Sequence, residues 1–154
     1  MGLDLCCGSV SIRVGSYSSV HRVRNYLIQS IINYLKATIE NKSNNNLCDL
    51  VDISAKKELL ELLDKVIVDD DINYDKLENI QMELSLINLN GFTCFINHSD
   101  CDGMIDSTDA DDFIKTLNIV KDYMDKSYYH ENDEFYLKEI FEESSNTGED
   151  IWFC

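Results

Sequence analysis

Asn97-His98-Ser99-Asp100-Cys101-Asp102-Gly103 places an imidazole, two carboxylates, a thiol and a glycine within seven consecutive residues. Three chemistries use such groups. The first is oxygen ligation of a hard cation. In a twelve-residue calcium-loop frame that starts at His98, Asp100 falls at position three, Asp102 at five and Gly103 at six. The Met104 carbonyl, Asp106 and Asp109 follow at seven, nine and twelve. The frame thus fits calcium or another divalent cation held by Asp100, Asp102, Asp106 and Asp109. Three departures weaken it: imidazole is a poor ligand for such an ion, Asp109 is shorter than the usual bidentate Glu, and the preceding segment reads as a strand. The second chemistry is a softer metal on Cys94, His98 and Cys101, with a fourth ligand from Cys6, Cys7 or His21. Zinc sites usually carry paired ligands, and this chain has no CxxC pair. The third is nucleophilic catalysis by Cys101, with His98 or His21 as base and Arg22 assisting. Asp100 and Asp102 flank that thiol, and neighbouring negative charge disfavours the thiolate. A structural reading competes with all three. Asn97, Ser99, Asp100 and Asp102 are turn formers that bond nearby amides, Gly103 supplies a positive φ, and a lone His donates to a carbonyl. The expectation is a turn that holds a cation at most, with His98, Cys101 and His21 as weak catalytic candidates.

The elements that position this loop are mostly helices. Residues 9–16 alternate polar and apolar and predict a short strand ended by Gly15. Ser18 or Ser19 then caps a long helix to about Glu40, with Val20, Val23, Leu27, Ile31, Tyr34 and Leu35 at helical spacing. Ile28, Ile32 and Ile39 widen its apolar stripe, so this helix is expected to be central or to contact a partner. The polar stretch 41–46 is expected to be a loop. A second helix follows from a Ser54 cap to Val66, with Leu59, Leu60, Leu62 and Leu63 inward, broken by Asp69-Asp70-Asp71. A third covers about Tyr74 to Leu89 and stops at Asn90-Gly91. Phe92 to Ile96 reads as a buried strand, with a helical turn as the alternative. Thr108 and Asp111 form a capping box for a fourth helix to about Ser127. A fifth spans about Asp133 to Glu143, residues 144–150 are a loop, and Ile151-Trp152-Phe153 adds an edge strand. The fold expected is a single α+β domain over residues 1–154, predominantly helical, with about five helices and a small sheet of two or three short strands.

Composition narrows the function. The chain has 154 residues, of which 44% are hydrophobic, enough for a core. Its net charge is −16, unevenly spread. Residues 1–42 hold five basic and two acidic side chains, and the remaining 8 basic and 27 acidic residues lie beyond them. Such an acidic body repels phosphates and disfavours general nucleic-acid binding. No apolar run is long enough to span a bilayer, and no secretory signal or prenylation box is visible. Met1-Gly2 approaches a myristoylation site, but Cys6 stands where Ser or Thr is required. The six cysteines are expected to be reduced intracellular thiols. The absence of proline and the wealth of Asn, Ile and Lys match an AT-rich genome.

The central heptad, together with Met1 to Asp4, Tyr17 to Arg24 and Gly148 to Phe153, resembles a family of small bacterial, phage and large-DNA-virus proteins. The pattern of that family has an aromatic residue where this chain has Val20. The resemblance implies that the N-terminal segment, the start of the first long helix and the central loop are neighbours in space. It implies no activity. The function expected is therefore non-enzymatic: protein binding or self-association, as a viral or mobile-element component. A homodimer is the first oligomer to expect. The location expected is the cytoplasm of the producing or host cell, or the virion. Cation binding by loop 98–109 and Cys/His hydrolase or transferase chemistry are the alternatives.

Overall fold

Leu3, Leu5 and Cys7 alternate with Asp4 and Cys6, and this period-two pattern folds as strand β1 (Leu3–Cys7), its odd residues buried. Cys7 lies opposite Val10 of β2 (Val10–Gly15), which leaves Gly8-Ser9 as a two-residue hairpin turn with Gly8 at φ +56°. The computed structural model describes residues 3–41, 47–98, 103–129 and 134–154. The stretch 42–46 and the heptad residues Ser99, Asp100, Cys101 and Asp102 lie outside these.

After Gly15 the chain enters α1 (Tyr17–Asn41). The cap is Ser16, whose hydroxyl accepts from the Ser19 amide at 3.3 Å, and not Ser18 or Ser19. Val20, Leu27, Ile28 and Leu35 are fully buried, and α1 packs against α2 (Leu47–Asp64), β2 and α6 (Ser107–Val120). The wide stripe of α1 is thus used inside the molecule. On α2, Leu59 and Leu63 face inward as expected, whereas Leu62 is exposed. Asp69 and Asp70 of the acidic triplet, both at positive φ, are the turn of a small hairpin between β3 (Ile67–Val68) and β4 (Asp71–Ile72), which Asp71 begins.

The expected third helix is broken in two, α3 (Tyr74–Asn79) and α4 (Gln81–Leu86), with Ile80 at φ −108° between them. The break keeps Leu77, Ile80 and Leu84 all buried. Residues 92–96 are not a strand. They form the single-turn helix α5 (Thr93–Ile96). Gly91 explains the close approach there. A Cβ at this position would collide with the Asp112 carbonyl of α6, and the Gly91 amide donates to Thr116 Oγ1 at 2.9 Å.

Past the loop come β5 (Met104–Ile105) and α6, then two 3-10 turns, Lys121–Tyr123 and Lys126–Tyr128. The last helix is α7 (Lys138–Thr147), ended by Gly148 at φ +76°. Phe135 and Leu137, expected on that helix, are buried just before it. Strand β6 (Ile151–Phe153) is not an edge strand. The sheet order is β2-β1-β6-β5, antiparallel throughout, so β6 lies between β1 and β5. The fold is α+β, as expected, with seven α-helices, a four-stranded sheet and a two-stranded one among the described residues.

Helices α1 and α7 pack on the sheet, over Leu3, Leu5, Ile105, Ile151 and Phe153, all of them buried. The outward residues of the same strands, Met104 and Trp152, are 45% and 53% exposed. Because β1 and β6 are neighbours, Cys6 and Cys154 meet and form a disulfide, where reduced thiols were expected. Cys7 and Cys94 are free. Among the described residues no helix is long and apolar enough to cross a membrane.

Candidate functional site

Of the heptad, Asn97, His98 and Gly103 lie among the described residues, the first two just after α5 and the third just before β5. Both of its described ends are fixed to one residue, Phe153 of β6. The His98 imidazole stacks on the Phe153 ring with centroids 3.9 Å apart and planes 2° from parallel. The Phe153 amide donates to the Gly103 carbonyl at 3.1 Å. Gly103 sits at φ +104°, and a Cβ there would press on the His98 ring at 3.1 Å. The positive φ and the close approach both require glycine.

His98 Nε2 lies 3.1 Å from the Met104 carbonyl. A carbonyl only accepts, so the ring nitrogen donates and the proton is on Nε2. The carbonyl end of α5 is held by Arg24, which projects from α1 and is only 5% exposed. Its Nε donates to the Phe95 carbonyl at 3.2 Å and its Nη2 to the His98 carbonyl at 2.6 Å. The guanidinium also lies 5.8 Å from the Phe95 ring centroid. A cation at the carbonyl end of a helical turn satisfies acceptors that the turn itself leaves open.

Asp106 caps α6: its carboxylate accepts from the Asp109 amide at 2.8 Å. The capping pair therefore stands two residues earlier than the expected Thr108 and Asp111. Thr108 is inside the helix, and Asp111 accepts from the Ser145 hydroxyl of α7. Loss of water raises the Asp109 carboxyl pKa above its ordinary value, and the charges of Asp106 and Asp112 add to this. Cys94 bonds the Gly91 carbonyl at 3.3 Å. Loss of water, reinforced by the charge of Asp109, pushes its thiol pKa upward, which disfavours the thiolate. Gln81, Cys94, His98, Asp109 and Asp112 border an open cleft of about 430 Å³ beside the loop.

Of the expected cation ligands, Asp106 and Asp109 lie among the described residues, while Asp100 and Asp102 do not. Two donors of the calcium frame have other work: the Met104 carbonyl accepts a hydrogen bond from His98 Nε2, and Asp106 caps α6. No group of three or more His, Cys, Asp or Glu side chains suited to a metal occurs among the described residues. His21 is engaged elsewhere, donating from Nε2 to the Asp70 carbonyl at 2.6 Å, where Asn25 also donates at 2.9 Å. Cys101 lies outside the described residues. Sequence reasoning missed Arg24 and Phe153 as supports of the loop. The hints were the Arg22-Val23-Arg24 pair, the closing aromatic residues, and the family resemblance that implied the start of the first long helix to be near the heptad.

A second surface was also missed. Between α2 and α4 runs a groove of about 230 Å³, lined by Leu59, Leu62, Leu86 and Ile87 together with Ala55, Lys56, Glu58 and Glu83. Leu62, Met82 and Leu86 are 44%, 72% and 77% exposed. No protein-family model, curated protein or solved structure matches the chain.

Proposed function

We propose that this is a non-enzymatic binding protein that takes a basic, amphipathic helical segment of a protein partner into the groove between α2 and α4. The groove carries the reading. Two large apolar side chains of its lining, Leu62 and Leu86, are 44% and 77% exposed. Covering each recovers on the order of 1.5–3 kcal/mol of transfer free energy. A groove between two helices accepts a helix that presents apolar residues at i, i+3 or i+4, and i+7. Two carboxylates, Glu58 and Glu83, against one cation, Lys56, line it on a body of net charge −16, a balance that favours a partner with lysines or arginines on its polar face.

Fluorescence anisotropy with a labelled Leu/Lys amphipathic peptide tests this, with a Leu/Glu peptide of the same pattern as control. Binding of the first alone, weakened about tenfold or more by Leu86→Asp and by raised salt, is the expected result. Equal affinity for both peptides, or no effect of Leu86→Asp, overturns it. Light scattering supplies the other arm. A dimer that Leu86→Asp dissociates would assign the groove to a second copy of this chain.

A further inference from the structure

Cys6 and Cys154 are joined across 148 residues of chain, with Cα atoms 6.7 Å apart. The bond lies on the sheet face that carries the exposed Met104 and Trp152. Cys6 is opposite the exposed Trp152, and Cys154 is itself exposed. Asp4 and Cys154 exchange both backbone hydrogen bonds, at 3.2 and 3.0 Å. Strand β6 has only three residues, and on its inner side Phe153 holds both His98 and Gly103. So short a strand depends on what fixes its end, and the disulfide fixes it to β1.

We propose that Cys6–Cys154 is a reversible thiol–disulfide exchange site for a dithiol reductant, and that its reduction loosens β6 and thereby the two anchors of the central loop. A thiolate of the dithiol attacks the exposed Cys154 sulfur, and the S–S bond breaks with Cys6 leaving as a thiolate that takes up a proton. The second thiol of the reductant then attacks the mixed disulfide and releases Cys154, which is protonated in turn. Two electrons and two protons pass to the protein, and the reductant leaves as a disulfide. Cys7 takes no part: it points to the opposite face of β1, where its thiol donates to the Glu149 carbonyl at 3.6 Å. The inference is independent of the α2–α4 groove, so either can fail alone.

The test combines alkylation mass spectrometry with hydrogen exchange on the full chain. Protein exposed to oxidised glutathione should protect Cys6 and Cys154 from alkylation, and dithiothreitol should expose both. Reduction should speed exchange at the Phe153 and Cys154 amides by about tenfold or more while the amides of α1 keep their rates. Cys154→Ser should show the fast rates with or without dithiothreitol, and Cys7→Ser should keep the full response. Circular dichroism verifies that each variant is folded, and Cys6→Ser replaces Cys154→Ser if the latter is not. Cys6 and Cys154 remaining alkylatable after oxidation would overturn the proposal. So would equal exchange of the Phe153 amide in the two states, or an acceleration that includes α1.

Discussion

Replacing Arg24 with alanine removes the donors that serve the Phe95 and His98 carbonyls. Those acceptors lie where the displaced side chain excluded water, so the loss should be roughly 2–4 kcal/mol in urea denaturation. Arg24→Lys should recover only part of it, because one ammonium does not reproduce the two-pronged geometry of a guanidinium. Asp109 makes a prediction of the opposite sign. Its folded pKa is raised above the ordinary aspartate value of 3.8, first by desolvation and then by Asp106 and Asp112. The stability it contributes is therefore present below 3.8 and is lost as pH rises through the raised value. Asp109→Asn, neutral throughout, should melt higher than the parent at pH 7 and level with it at pH 3, as scanning calorimetry at the two pH values would show. At this scale the sequence was partly legible. The residue types gave a glycine requirement at Gly103 and a carbonyl-bound His98, both of which local chemistry dictates. Arg24 and Phe153 were not legible, because each acts on the loop from more than 50 residues away in sequence.

Helix α6 shows what capping patterns can and cannot decide. Asp106…Asp109 and Thr108…Asp111 have the same spacing, and either would start a helix. The structure uses the first, because β5 ends at Ile105 and the chain turns directly into α6. Asp106→Ala should therefore cost about 1 kcal/mol in chemical denaturation, and Thr108→Ala should change stability by less than about half of that. Elements with long apolar stripes, α1 and α6, were well marked. Shorter ones were not. Phe92 to Ile96 is a five-residue apolar run whose periodicity fits a strand or a helical turn equally. The contact of Gly91 with α6 decides for the turn. The break at Ile80 has no glycine or proline to announce it, and tertiary packing of Leu77 and Leu84 places it. Leu62 was misassigned for a related reason: a run of leucines on α2 does not say which of them the rest of the chain covers.

Charge is a property of the whole molecule. With a net charge of −16, against which surface ion pairs such as Arg13–Asp4 and Lys138–Glu134 offset little, folding brings like charges together. Screening should relieve this, so the melting temperature should rise by a few degrees between roughly 10 and 300 mM NaCl. A flat or falling curve would show that local pairs outweigh the overall repulsion. The acidic balance was plain in the composition, and the α+β class in the patterning along the chain. The sheet order was not, because local pattern identifies a strand without its partners. Yet that order has a consequence for how the molecule is made. Strand β6 separates β1 from β5, so the four-stranded sheet has a gap at its middle until residues 151–153 arrive. A ribosome must deliver Phe153 before His98 and Gly103 find their anchor. Until then the β1–β2 hairpin offers an open pairing edge to any neighbouring nascent chain, which makes the interval before β6 docks the period of greatest exposure to mispairing.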